Sequence, residues 1–197
     1  MTSPALFVID NVSQTREWLG ALFSDKGMNV TFFNSAERFL YEANNQQLGC
    51  IILANRLPGI DGIDLQSILN KKQSPLSLIF HSNSISTAAA IQAIKAGAVD
   101  ILQKPTSEQQ LLDSVEKAMQ HSAQKAQQND TRARFNSLTK KEHSVLEHIR
   151  QGLTNQQIAN ELCISLRTVE VHRASIMKKF DASNAVILAT KLAKITD

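Results

Sequence analysis

Cys50-Ile51-Ile52-Leu53-Ala54, with the turn Pro58-Gly59 four residues further on, is the stretch that decides the fold of this chain. An apolar run this short, closed by a Pro-Gly turn, reads as a buried strand rather than a helix. Runs of the same kind recur on either side of it, at Leu6–Ile9, Val30–Phe33, Leu76–His81 and Val99–Leu102. Between them lie amphipathic stretches of helical length near 13–26, 35–45, 61–71 and 86–96. Strands alternating with helices of that length predict one five-stranded parallel sheet covered by helices on both faces. Such sheets place their sites at the carboxyl ends of the strands. Asp10, Ala54, Ser82 and Lys104 each fall at such an end, so they are expected to converge.

Local signals mark the remaining helices. Asn34-Ser35-Ala36-Glu37 reads as a capping box opening the second helix, and Gly97 closes the fourth. Thr106-Ser107-Glu108-Gln109 opens another helix, whose apolar positions Leu111, Leu112, Val115, Ala118 and Met119 keep helical spacing. That pattern fades through Ser122, Ala123 and Ala126, and Gln127-Gln128-Asn129-Asp130 reads as the end. Residues 121–136 are therefore expected to form a helical linker. A solvated helix and a short coiled coil with a second copy both stay open, because the seam is poor in Leu and Ile.

From Leu138 onward the strands stop and four short helices follow. Thr139-Lys-Lys-Glu142 and Thr154-Asn-Gln-Gln157 are two more capping boxes, and Gly152 ends the first of these helices. Ser165 is placed to cap a third, from Leu166 to Phe180, and Ser183 a fourth, ending near Lys194. The expected division is 1–120, 121–136 and 137–197.

Charge follows the same division. Residues 1–120 carry 9 Lys+Arg against 11 Asp+Glu, whereas residues 121–197 carry 12 against 7. A small basic module joined to a slightly acidic one points to a polyanionic partner. No stretch approaches 18 apolar residues, and Met1-Thr2-Ser3-Pro4 lacks the basic and apolar regions of a secretory signal, so a cytoplasmic protein is expected. Cys50 and Cys163 read as small buried hydrophobes in a reducing compartment. His143 and His148 lie on different helix faces, without Cys or acidic neighbours at metal-ligand spacing. There is no Gly-rich phosphate loop and no nucleophile elbow, and no enzymatic activity is expected.

Residues 138–180 resemble the LuxR/NarL-type helix-turn-helix, and in particular the effector domain of FixJ-like regulators. Leu138-Thr139-Lys-Lys-Glu142, Val145-Leu146, Gly152, Asn155, Gln157-Ile158-Ala159, Leu162, Ile164-Ser165 and Thr168-Val169-Glu170-Val171-His172-Arg173 carry the match, with Ile176, Lys178 and Lys179. The resemblance implies a four-helix, all-α module that binds double-stranded DNA as a dimer. Its third helix is expected to expose Arg167, Glu170, Val171, Arg173, Ala174 and Lys178 and to enter the major groove. By the same analogy Glu170, Val171 and Ala174 approach bases, while Arg167, Thr168, Arg173 and Lys178 hold phosphates. His172 is expected to pack between helices.

The first 105 residues resemble the receiver domain of two-component response regulators, a flavodoxin-like doubly wound fold. The resemblance implies an Asp at the Ala54 position that accepts a phosphoryl group, an acidic pair where this chain has Asp10-Asn11, the hydroxyl residue Ser82, and Lys104 followed by Pro105. One carboxylate remains where the family has three. Mg²⁺ is held by carboxylate oxygens and dehydrates reluctantly, so neither a metal nor any other cofactor is expected. Asp10 is instead expected to pair with Lys104, and His81 lies beside this pocket. Ile101 stands where the family has a Phe or Tyr that reports phosphorylation. The joint departure at Asn11, Ala54 and Ile101 reads as natural divergence.

Together these resemblances describe a sequence-specific transcriptional regulator with a non-phosphorylatable receiver. The family's dimer face falls on Ile91, Ile94, Lys95, Asp100 and Ile101, so a homodimer through this face, and through the linker helix, is expected. Docking of another regulator, or of a small ligand, on the receiver is the competing expectation. The Trp-[Phe/Leu/Met]-[Thr/Ser]-Arg motif of relatives that bind cyclic dinucleotides is not present, since Trp18-Leu19 is followed by Gly20-Ala21.

Overall fold

The computed structural model describes residues 4–193; Met1–Ser3, and Lys194 where the last helix was expected to end, lie outside the described residues. Two compact units result, Met1–Ala126 and Gln127–Asp197. The first contains β1 (Ala5–Ile9), α1 (Ser13–Asp25), β2 (Val30–Phe33), α2 (Ala36–Glu42), β3 (Gly49–Leu53), α3 (Gly62–Lys71), β4 (Ser77–Ser82), α4 (Thr87–Lys95) and β5 (Asp100–Gln103). Next come α5 (Glu108–Asn136), α6 (Lys140–Arg150), α7 (Asn155–Glu161), α8 (Leu166–Lys179) and α9 (Ala185–Ala193). No described helix is long and apolar enough to cross a membrane.

All strand pairs are parallel, in the order β2-β1-β3-β4-β5. The alternation of side chains explains why the strands look apolar throughout. Phe7, Ile9, Ile51 and Leu53 enter one core layer with Phe39, Leu65 and Phe80. Leu6, Val8, Cys50 and Ile52 enter the other, with Leu19 and Phe23 of α1 and Leu111 and Val115 of α5. Phe7, Phe33 and Phe39 meet with ring centroids 5.3–5.9 Å apart, so the edge strand β2 is locked by aromatic packing. The second unit has one core, in which Val145, Leu146, Ile158, Val169, Ile176, Phe180 and Leu188 are all buried.

Several caps differ from their sequence reading. Thr139/Glu142 and Thr154/Gln157 form reciprocal boxes as expected. The expected Asn34–Glu37 box does not form: the cap is Ser35, whose side chain accepts from the amide of Arg38, and Glu37 lies one position too early to close a box with it. Its carboxylate accepts instead from the amide of Ile60, 2.7 Å away, and fixes the loop after β3. Gly59 in that loop has φ +76°, and a Cβ there would run into the Glu37 carboxylate. The α5 box pairs Ser107 with Gln110, one residue later than expected. Asn184 rather than Ser183 caps α9, accepting from the amide of Ile187.

The helix expected to end near Asp130 runs on to Asn136. Its polar stretch is not simply solvated. Ser122 is fully buried and accepts from the Gly49 amide at 2.9 Å, His121 Nδ1 lies 2.9 Å from Ser77 Oγ, and Lys125 donates to the Leu76 carbonyl. Cys50 is buried as expected, but Cys163 is exposed in the turn between α7 and α8, with φ 52°.

Candidate functional site

The carboxyl ends of β1, β3, β4 and β5 bring Asp10, Ala54, Ser82 and Lys104 to one edge of the sheet. Asp10 is buried, and each of its carboxylate oxygens is taken. Oδ2 accepts from Lys104 Nζ at 2.7 Å, and Oδ1 accepts from the Val12 amide at 2.8 Å. Lys104 also donates to Thr15 Oγ1 at 3.1 Å, and Arg16 donates to the Asp10 carbonyl at 2.6 Å. Ala54 is buried beside Asp10, its amide donating to the Ile9 carbonyl at 2.9 Å. Ser82 donates its hydroxyl to the Ser84 carbonyl, and Asn11 is exposed. The Asp10–Lys104 pairing expected from the sequence is therefore the observed one.

His81, next to Ser82 on β4, lines a cleft with Lys104 and is 2% exposed. Neither ring nitrogen has a hydrogen-bond partner among the described residues. Burial and the Lys104 charge lower its pKa to about 4, Asp10 offsetting them only in part, so the imidazole is neutral. Its ring lies 6.1 Å from that of Trp18 on α1.

On α4, Ile91 and Ile94 are half-exposed and share one side of the helix with the exposed Lys95. Asp100 and Ile101, assigned from sequence to the same face, are more withdrawn. Asp100 accepts from the Ile101 amide and from Ser114 Oγ, and Ile101 packs on the core.

In the second unit, Ser165 caps α8 by accepting from the Thr168 amide. Val169 and Ile176 anchor α8 in the core. Arg167, Glu170, Val171, Ala174 and Lys178 are exposed at spacings of three, four and seven, hence along one stripe. Thr168 and Arg173 flank it half-buried, and the Thr168 hydroxyl bonds to Ser165 Oγ at 2.7 Å. Arg167 lies 3.6 Å from the Glu170 carboxylate. His172 is half-buried in a crevice with Val145, Leu162 and Ile164, as a packing residue should be. Glu142 supports this helix: its buried carboxylate accepts from the Thr139 amide, from Ser175 Oγ and from Lys179 Nζ, at 2.6–2.7 Å. Burial pushes its pKa up, but those hydrogen bonds outweigh it and hold the group at about 2.

Two families match the chain along its length. "Response regulator receiver domain" covers residues 6–116, and "Bacterial regulatory proteins, luxR family" covers residues 136–192. The transcriptional regulatory protein FixJ of Bradyrhizobium diazoefficiens is 34% identical over all of this chain and 99% of its own. The chain is a FixJ-like response regulator. The response regulator protein TmoT of Ectopseudomonas mendocina is also 34% identical, over 98% of this chain and 89% of its own. Among solved structures, the response regulator StyR matches with TM-score 0.69 at 35% identity, over 98% of this chain and all of its own. Full-length FixJ from B. japonicum matches with TM-score 0.58 at 33% identity, over 99% and 98%.

This response regulator thus pairs a receiver with a LuxR-type DNA-binding module, and its relatives are regulators rather than enzymes. The Mg²⁺ that the resemblance to receivers implies does not fit the residues present. Both Asp10 oxygens are committed, Ala54 offers no oxygen, and no group of three or more acidic, His or Cys ligands occurs among the described residues. Sequence reasoning missed the regulator's Thr15, Trp18 and the support role of Glu142. Only helical packing brings them to these sites.

Proposed function

We propose that this response regulator acts without a phosphoryl switch. Its receiver (residues 1–120) serves as a dimerisation platform, joined by a helical linker (121–136) to the DNA-reading module (137–197). The observation that carries this reading is the closed contact of Asp10 with Lys104 and Val12 beside the Ala54 methyl group. A phosphoryl acceptor needs a nucleophilic oxygen at that strand end, and Ala54 has none.

The degenerate pocket comprises Asp10, Asn11, Ala54, Ser82 and Lys104. Dimerisation uses the α4 side with Ile91, Ile94 and Lys95, and Asp100 and Ile101 at its margin. Ile101 has no aromatic ring to rotate, so the dimer-competent arrangement needs no trigger. Apolar side chains standing half-exposed on one helix face gain by burial against a second copy. On DNA, Glu170, Val171 and Ala174 meet base edges while Arg167, Thr168, Arg173 and Lys178 fix register on phosphates. Such a regulator works in the cytoplasm, where the DNA lies.

The test begins with genome-wide mapping of sites bound by the purified protein. Sedimentation and gel shifts on a recovered site then follow, with and without acetyl phosphate and Mg²⁺. Expected are a dimer at micromolar concentration, no phosphoryl adduct by intact mass, unchanged affinity, and weaker binding by Ile91→Asp. An adduct that tightens DNA binding overturns the reading. So does a monomer whose DNA binding Ile91→Asp leaves intact.

A further inference from the structure

A cleft of about 360 Å³ opens on the receiver beside the Asp10–Lys104 pair. Gln14, Thr15 and Trp18 of α1 form one wall, Lys104, Pro105 and Thr106 the other, and His81 the floor. Nothing in the mechanism proposed above uses it. Its volume sits at the small end of the range that encloses small-molecule ligands.

The floor is what marks it as a built site. A buried imidazole with neither nitrogen bonded costs free energy that a plain strand residue would not. The packing demand at the end of β4 would be met by an apolar side chain, as at the neighbouring buried strand positions Ile79 and Phe80. Trp18, 37% exposed, lines the same cleft with its ring 6.1 Å from that of His81, so a ligand that bonds the imidazole must enter beside the indole.

We propose that this cleft binds a small, uncharged, planar aromatic compound bearing a hydroxyl group, stacked on Trp18 and hydrogen-bonded to His81. Each feature has a residue behind it. The flat indole face favours a planar ring in offset contact. The wall charges cancel, because Lys104 is already paired with Asp10, so a ligand of either charge would enter unpaired. Neutral imidazole presents one donor and one acceptor, and a hydroxyl can serve whichever nitrogen it meets. Ligand binding in this cleft does not depend on whether the receiver accepts phosphate.

Trp18 is the only tryptophan in the chain, which makes it a specific reporter. The full-length protein is titrated with phenol and 4-methylphenol, with benzoate and cyclohexanol as controls, exciting Trp18 at the red edge of its absorption. The expected result is a saturable emission change with the phenols, at least about tenfold weaker with either control. His81→Leu should weaken phenol binding about tenfold, the loss of one hydrogen bond. In the wild-type protein, ¹⁵N signals of the His81 ring should shift on adding phenol, a readout that needs no variant to fold. Absence of a saturable change overturns the proposal, as do stationary His81 signals or equal binding of phenol and cyclohexanol.

Discussion

Lys104 Nζ lies 2.7 Å from Asp10 Oδ2, tying the end of β5 to the end of β1 across the carboxyl edge of the sheet. The two side chains are 14% and 4% exposed, so the Asp10 carboxylate in particular has little water to replace its partner. Removing one partner from such a pair strands the other charge. Lys104→Met is expected to destabilise the receiver by about 3 kcal/mol, read as a lower urea midpoint at constant slope. An unchanged midpoint would show that Asp10 is solvated.

If the pocket lacks only its oxygens, supplying them should restore receiver chemistry. The double substitution Asn11→Asp/Ala54→Asp places two carboxylates beside Asp10, and Ser82 and Lys104 are already there. Mg²⁺ should then raise the melting temperature, and acetyl phosphate should leave an adduct on the variant but not on the wild type, by intact mass. Equal labelling of both proteins would place the acceptor elsewhere.

Acid should weaken the receiver through His81. Burial and the Lys104 charge lower its pKa from 6.5 to about 4, and burial, with Lys125, lowers that of His121 as well. Between those values the unfolded chain binds a proton that the folded receiver does not. Stability is therefore complete above about pH 6.5 and declines as pH falls toward 4. His81→Leu should flatten much of that slope in urea titrations at several pH values, and His121 should account for part of the rest.

Glu142 makes the same argument for the second unit at lower pH. Its pKa is held at about 2 against an ordinary 4.5, so its stabilisation is present above pH 4.5 and is lost as pH falls through about 2. At neutral pH, Glu142→Gln should cost about 2 kcal/mol by weakening charge-assisted hydrogen bonds from Lys179 and Thr139. Faster amide exchange in α6 and α8, with the receiver amides unaffected, is the expected readout.

On DNA, Lys178→Ala should weaken binding to all sequences alike and lower the salt slope by about 1. Glu170→Ala should leave the slope nearly unchanged and alter base preference, since it removes the acceptor proposed to meet base edges. Gel shifts across a salt series separate the two. A Lys178 variant with an unaltered slope would remove that residue from the phosphate contacts.

Much of this was legible because it is local or periodic. The boxes Thr139/Glu142 and Thr154/Gln157 span three residues, and both formed. The strand spans came out within a residue or so, because a buried parallel strand must be apolar on both faces. Asp10 and Lys104 could be paired from sequence because both follow strands of one parallel sheet. Reading failed where a polar group had two local uses and a distant partner took it. Glu37 was recruited by Ile60, and Ser122, His121 and Lys125 by the strand ends at Gly49, Ser77 and Leu76.

The order of strands and helices, the missing oxygen at position 54 and the basic stripe of α8 were all written in the chain, since each follows from residue type and period alone. Packing alone decided that His81 would be buried near Trp18 with its nitrogens unmatched, that Asp100 would turn inward to Ser114, and that Glu142 would brace α8. Those outcomes depend on which side chains from separate elements meet in a space with no water to compensate them, and no periodicity in the sequence encodes that meeting.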